Sequence, residues 1–190
     1  MKLDEKKADK KRRMMAAAFE CFNEKGFMNT AINDICTRAG VAKGTFYLYF
    51  SDKNAIYNDL VDHCSKLVCD RIYSALYDSG VLTAEELMVR ILDELIKQGK
   101  EESVMFRFLG TDLKWPPLSD DSNDLIMRIR TSLDHITDDN KKQNDLRMML
   151  ELLYMYTGVI YASLSRNEPA GPEVCRDDLV RMTHLVLTQK

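Results

Sequence analysis

Residues 30–53, TAINDICTRAGVAKGTFYLYFSDK, decide how this chain folds. Ile32, Ile35, Cys36 and Ala39 recur at the spacing of one helix face, Thr30 stands where an N-cap belongs, and Gly40 stops the pattern. A second short helix is expected over 42–50, anchored by Val41, Phe46 and Phe50. Its other side presents Lys43, Gly44, Thr45, Tyr47 and Leu48 outward, with Tyr49 between the two faces. So short a helix is not stable by itself, and its neighbours must hold it. Two short helices joined by a glycine turn describe a helix-turn-helix unit. Asp52 or Ser51 then caps a further helix that starts near Lys53.

Each outward residue has a chemical use against DNA. Lys43 can reach a guanine edge or a phosphate. Gly44 has no side chain, so the backbone can approach a duplex closely. Thr45 offers a hydroxyl to phosphate and a methyl to thymine, and Tyr47 and Tyr49 can donate phenolic hydrogen bonds to phosphate. Lys53 and Thr30 sit at expected helix starts, where backbone amides favour an anion. Phosphate contacts of this kind fix register, and only the few base contacts specify sequence.

Upstream, Met15, Ala18, Phe19 and Phe22 mark a helix over about 7–25, with Gly26 at its C-cap and Phe27 as the packing contact. Residues 1–9 read as a basic arm. Downstream, the spacing predicts helices over about 53–78, 83–98, 103–114, 119–138, 141–165 and 173–188. Thr83 and Glu86 form a capping box, and Trp115-Pro116-Pro117 and NEPAGP at 167–172 are breaks. There is no strand pattern, and only four prolines and eight glycines punctuate the chain. The expectation is an all-α protein of about nine helices: a helix-turn-helix domain over 10–56 (the motif itself at about 31–50), joined by a long fourth helix to a C-terminal domain over 57–190.

Charge supports a division of labour. Residues 1–50 hold ten Lys and Arg against six Asp and Glu, whereas 51–190 hold seventeen against twenty-four. A basic head on an acidic body points to polyanion contact confined to the head. No apolar run reaches the ~18 residues of a membrane span, and the charged opening has no apolar signal region, so a cytoplasmic location and no membrane partner are expected. Five scattered cysteines fit buried thiols better than a disulfide framework.

The segments AAAFECFNEKGF, TAINDICTRAGV, AKGTFYLYF and SDK together resemble the N-terminal signature of the TetR family of bacterial transcriptional regulators, over about residues 10–60. The resemblance implies that the helix over 42–50 is the recognition helix. It places Lys43, Gly44, Thr45, Tyr47, Leu48, Tyr49 and Lys53 at double-stranded DNA, with Thr30 and Asn33 as secondary contacts. Ala42 departs from the pattern, which often has Ser or Thr there. That removes an N-cap usually worth ~1 kcal/mol.

The resemblance also implies a homodimer on a palindromic operator, repression as the default, and a small-molecule effector of unknown identity in the C-terminal domain. Met105, Phe106, Phe108, Trp115, Met155 and Tyr156 are the expected pocket lining. The helix over 141–165 carries more apolar surface than one intrachain neighbour needs, so a second subunit is expected on it. Met149, Leu153, Tyr156, Ile160 and Leu164, with Leu179, Met182 and Val186 of the last helix, are the expected interface.

Two other classes remain open: a metal- or redox-responsive regulator, suggested by His63, Cys64 and Cys69, and a helical protein-interaction module. Cys64 and Cys69 lie about 140° apart around a helix, which disfavours a shared site. No catalytic motif, cofactor loop or metal-binding spacing is present, so no enzyme, cofactor or metal is expected.

Overall fold

The computed structural model describes residues 3–80 and 82–188. Among these it holds nine helices and no strand, the all-α architecture expected. The chain forms two compact units that divide between His63 and Cys64.

The first unit contains α1 (Leu3–Asn29), α2 (Ile32–Ala39), α3 (Lys43–Tyr47) and the first turns of α4 (Lys53–Leu76). Residues 3–9, read above as an arm, are the first turns of α1, and the rest of that arm lies outside the described residues. Lys, Glu and Ala there are good helix formers, and Arg12 adds an ion pair to Asp9 at 2.6 Å. Gly26 breaks the α1 path with φ 77° and ψ 159°, a conformation essentially reserved for glycine. Gly40 caps α2 in the left-handed region, and its N–H returns to the carbonyls of Cys36 and Thr37. α1 packs on α2, and α2 on α3. Met14, Ala18, Phe22, Ile35, Phe46 and Ile56 are buried at the centre of this unit.

The second unit holds the rest of α4 with α5 (Ala84–Glu101), α6 (Ser103–Leu109), α7 (Asp124–Thr131), α8 (Asp139–Arg166) and α9 (Pro172–Thr188). Thr83 and Glu86 close the expected capping box, with bonds of 2.9 and 3.2 Å. Two helices are shorter than the apolar spacing suggests. α6 stops at Leu109 because Gly110 turns the chain at φ 54°. α7 begins only after Asn123, which caps the amides of Leu125 and Ile126 at 3.1 Å. It ends where Ser132 bonds back to Ile129, although Leu133 is still buried. α5 packs against α6, α8 and α9, and α8 packs on both α6 and α9.

That arrangement corrects the expected interface. Met149, Leu153, Tyr156, Ile160 and Leu179 are all buried inside the chain, because α5 and α9 already cover that side of α8. Leu164 is half-buried, and only Met182 and Val186 of the expected set are exposed. The exposed apolar residues of α8 and α9 are instead Tyr154, Val174, Met182, Leu185 and Val186.

The six residues expected to line a pocket sit in different surroundings. Tyr156 is fully enclosed and its hydroxyl is hydrogen-bonded with that of Thr183. Buried Trp115 donates its indole N–H to Thr157 Oγ1 at 3.0 Å. Met105 is buried, while Phe108 and Met155 are half-buried. Of the six residues, Phe106 lines a cavity of about 310 Å³.

All five cysteines are free and buried. Burial pushes the Cys64 thiol up to about 11 and Cys69 up to about 12, away from the reactive thiolate. Among the described residues no group of three or more His, Cys, Asp or Glu side chains is placed to hold a metal ion. No helix among them is long and apolar enough to cross a membrane.

Candidate nucleic-acid interface

A five-residue helix keeps its shape only if something grips it. α3 is gripped through Phe46, which is completely buried, with its ring 5.5 Å from Phe50. The Phe50 ring lies 5.6 Å from the Lys11 ammonium, and Lys11 pairs with Asp59 at 2.7 Å, tying α1 to α4 beneath α3. With the inner face fixed, the outer face is set by the helical period. Lys43, Gly44, Tyr47 (50% exposed) and Leu48 (81% exposed) turn to solvent, while Thr45 and Tyr49 are half-buried. The N-cap position, Ala42, is extended and gives no side-chain bond, as its methyl requires. A Cβ added to Gly44 would meet no atom of the protein within 4 Å.

The position of α2 rests on charge. Arg38 grips the Glu24 carboxylate of α1 through two bonds of 2.8 and 2.6 Å. The Asp34 carboxylate accepts from the Ala31 N–H at 3.0 Å and pairs with Lys25 at 3.3 Å, which holds its carboxyl below the usual range. Asp34 is thus half of the cap that Thr30 was expected to supply. Asn33 is exposed on the outer side of α2.

Two expected contact residues point elsewhere. Thr30 is only 2% exposed, and its hydroxyl donates to the carbonyls of Cys21 (3.1 Å) and Gly26 (2.8 Å). It therefore closes the end of α1 rather than facing outward. Lys53 directs its ammonium to the carbonyls of Phe27 (2.6 Å), Thr30 (2.9 Å) and Met28 (3.4 Å), and lies 4.3 Å from the Phe27 ring centroid. A cation on the first residue of a helix is disfavoured by the helix dipole. Three carbonyls released by the Gly26 break offset that here. Lys53 is a clasp between α1 and α4, not a free cation.

Sequence reasoning also missed Arg13. It donates to the Ala39 carbonyl and, at 3.2 Å, to the Gly40 carbonyl, so it seals the C-terminus of α2. A basic residue on another helix gives no local signal of that task. What remains fully outward is one ammonium, one phenol, one amide, the Leu48 side chain and a bare stretch of backbone, on elements whose inner faces are fixed. Such a set can neutralise a phosphate, hydrogen-bond a base edge and admit close approach.

Residues 14–60, the same α1-to-α4 stretch, match the sequence profile of the bacterial regulatory proteins, tetR family. The first unit carries a TetR-family domain. Beyond this domain the likeness is one of fold. A TetR family transcription regulator from Marinobacter aquaeolei superposes with TM-score 0.62 over 97% of this chain and 98% of its own, at 15% identity. The transcriptional regulator FadR from Bacillus subtilis, solved in complex with stearoyl-CoA, superposes with TM-score 0.58 over 90% and 96%, at 16% identity. In sequence, the chain is 37% identical over 86 residues to YvdT, an HTH-type transcriptional regulator of Bacillus subtilis. That match covers 45% of this chain and 41% of YvdT, so it spans less than half of the relative's length.

Proposed function

We propose that this protein is a transcriptional repressor that binds a palindromic operator as a homodimer and is released by a small molecule taken up by the unit after His63. The observation that carries the DNA-binding part is the outward set Lys43, Gly44, Tyr47 and Leu48 on a helix whose Phe46 is wholly enclosed. The TetR-family match over the same residues supports it. In this reading α3 enters the major groove, and Asn33 of α2 touches the flanking backbone. Two heads about one helical turn apart read the two halves of the palindrome. The exposed Tyr154, Val174, Met182, Leu185 and Val186 on α8 and α9 form the apolar face that pairs the copies.

The effector part is supported by the fold shared with a FadR that holds stearoyl-CoA. The boundary between the units lies inside α4, which runs from Lys53 to Leu76. An effector that displaces α4 alters how the heads are presented, a coupling of ~1–3 kcal/mol in usual terms.

The test is a footprint of the purified protein on the DNA next to its own gene, followed by salt-dependent affinity of the protected site. Lys43→Glu should abolish binding while leaving helix content and oligomeric state intact. A Lys43→Glu protein that protects the same site as tightly ends the proposal.

A further inference from the structure

Two cavities in the second unit differ in what their charges are doing. The one of about 330 Å³ is lined by Leu82, Leu87, Arg128 and Asp134 among others. There the charges are committed: Arg128 donates to the Gly80 carbonyl and Asp134 pairs with Lys142 at 2.7 Å. The cavity of about 310 Å³ between α5, α6 and α8 is built otherwise. Its deepest walls are buried Gly99 and Phe106, followed by half-buried Tyr161 and Leu164. Its exposed rim carries Lys100 and Arg107, and none of its lining residues is acidic.

The apolar walls are fixed. A Cβ on Gly99 would come within 2.4 Å of Leu164 and 3.3 Å of Phe106, so the missing side chain lets α5 and α8 approach there. A Cβ on Gly110, in the turn that ends α6, would meet the Tyr161 ring at 3.6 Å, so that ring stands beside the turn. The rim, in contrast, is uncommitted on one side. Among the described residues Arg107 has neither an ion pair nor a hydrogen bond through its guanidinium, and Lys100 pairs at 2.7 Å with Glu173 in the first turn of α9. A guanidinium beside an apolar cleft is a fork for a carboxylate or phosphate. The rim hydroxyls of Ser103 and Ser165 add donors beside it.

We propose that the cleft between α5, α6 and α8 binds a small amphipathic anion. Its apolar tail lies against Phe106, Tyr161 and Leu164, and its carboxylate or phosphate head is held by Arg107 and Lys100. The head competes with Glu173 for Lys100, so occupancy loosens a tie between α5 and α9, the helix that carries most of the exposed apolar face. This names a ligand class for the effector reading above and rests on that reading only for its effect on DNA.

The test is calorimetry on the intact protein without DNA, using decanoate, decyl phosphate, decanol and inorganic phosphate below micelle-forming concentrations. One saturable site per chain is expected for at least one of the two amphipathic anions. The tighter of them identifies the head group, and decanol and inorganic phosphate should each bind at least about tenfold more weakly. Arg107→Gln should weaken the anion by about tenfold with an unchanged melting curve. Ser165→Trp, on the exposed last turn of α8, should block the mouth. Decanol binding as tightly as the anions, or anion binding untouched by both substitutions, overturns the proposal, and so does no saturable binding by either anion. A confirmed site whose occupancy leaves operator affinity unchanged refutes the effector reading and not the site.

Discussion

Substituting alanine at Gly44 and at Gly40 should move the protein in opposite directions, and the contrast isolates what α3 is for. At Gly44 the new methyl meets nothing within 4 Å, and the position lies inside α3. Alanine there should raise stability by at most about 1 kcal/mol through helix propensity. For a chain of this size that is a gain of at most about 2–4 °C in Tm. If the backbone at Gly44 lies against a duplex, the same methyl occupies space reserved for phosphate, and operator affinity should fall by about tenfold, or about 1.4 kcal/mol. At Gly40 the backbone stands at φ 64° and the methyl would come within 2.8 Å of Arg13 Nη2. Gly40→Ala should therefore lower stability by about 1–2 kcal/mol, through left-handed strain and a disturbed cap. Circular-dichroism melts and fluorescence anisotropy on the footprinted site read both numbers. A Gly44→Ala protein that is stabilised but binds its operator at full affinity refutes the reasoning, because no other role for a bare backbone at this position remains.

Lys53→Met should lower stability by about 1.5–3 kcal/mol, because three backbone carbonyls lose a charged donor, yet leave the salt dependence of operator binding unchanged in slope; denaturant unfolding and a salt titration check both. Leu185→Asp, on the exposed face of α9, should yield a folded monomer by sedimentation, whereas Leu153→Asp should cost about 3–5 kcal/mol by burying an unpaired carboxylate inside the chain. Cys64 and Cys69 are raised from 9.0 to about 11 and about 12. Their neutral forms are favoured in the fold, so the stability they contribute is complete below pH 9 and lost as pH rises toward those values. The slope is at most about 1.4 kcal/mol per pH unit for each thiol. Thermal melts between pH 9 and 11 should fall accordingly, and Cys64→Ala should flatten the decline.

The sequence exposed most of this architecture wherever a residue can do only one thing. Gly26 and Gly40 sit at positive φ, and the Thr83–Glu86 pair is a reciprocal cap whose two halves lie three residues apart. It misled wherever one chemistry serves two geometries. A threonine hydroxyl before a helix can accept from the amides ahead or donate to the carbonyls behind, and Thr30 does the latter. A lysine beside a helix start can meet a phosphate or clasp its own chain, and only the break at Gly26, which frees three carbonyls, decides for Lys53. Apolar spacing continued through Leu133 although the helix had ended, because burial in a turn leaves the same trace as burial on a helix. In α8 the apolar residues run nearly all round, and composition cannot say which side belongs to α5 and α9 and which to another copy.

The charge asymmetry needs the same correction, and it bears on mechanism. Among the ten Lys and Arg of residues 1–50, Lys11, Lys25, Arg12 and Arg38 are paired with carboxylates, and Arg13 is bonded to carbonyls. The exposed ion pairs are weak enough to exchange for phosphate. Arg13 and Lys53 are not, since leaving would strand backbone carbonyls. The cationic footprint of one head is therefore narrower than its composition states by Arg13, Lys53 adds nothing to it, and Lys43 is the cation that α3 itself presents. A single head of that kind holds DNA weakly at physiological salt. Joining two converts the second contact into an intramolecular one and multiplies affinity without any new residue at the groove. If the exposed apolar residues of α8 and α9 pair two copies as proposed, they matter to operator binding as much as α3 does. Loss of pairing at Leu185 should then weaken DNA binding through an α3 that is itself unchanged.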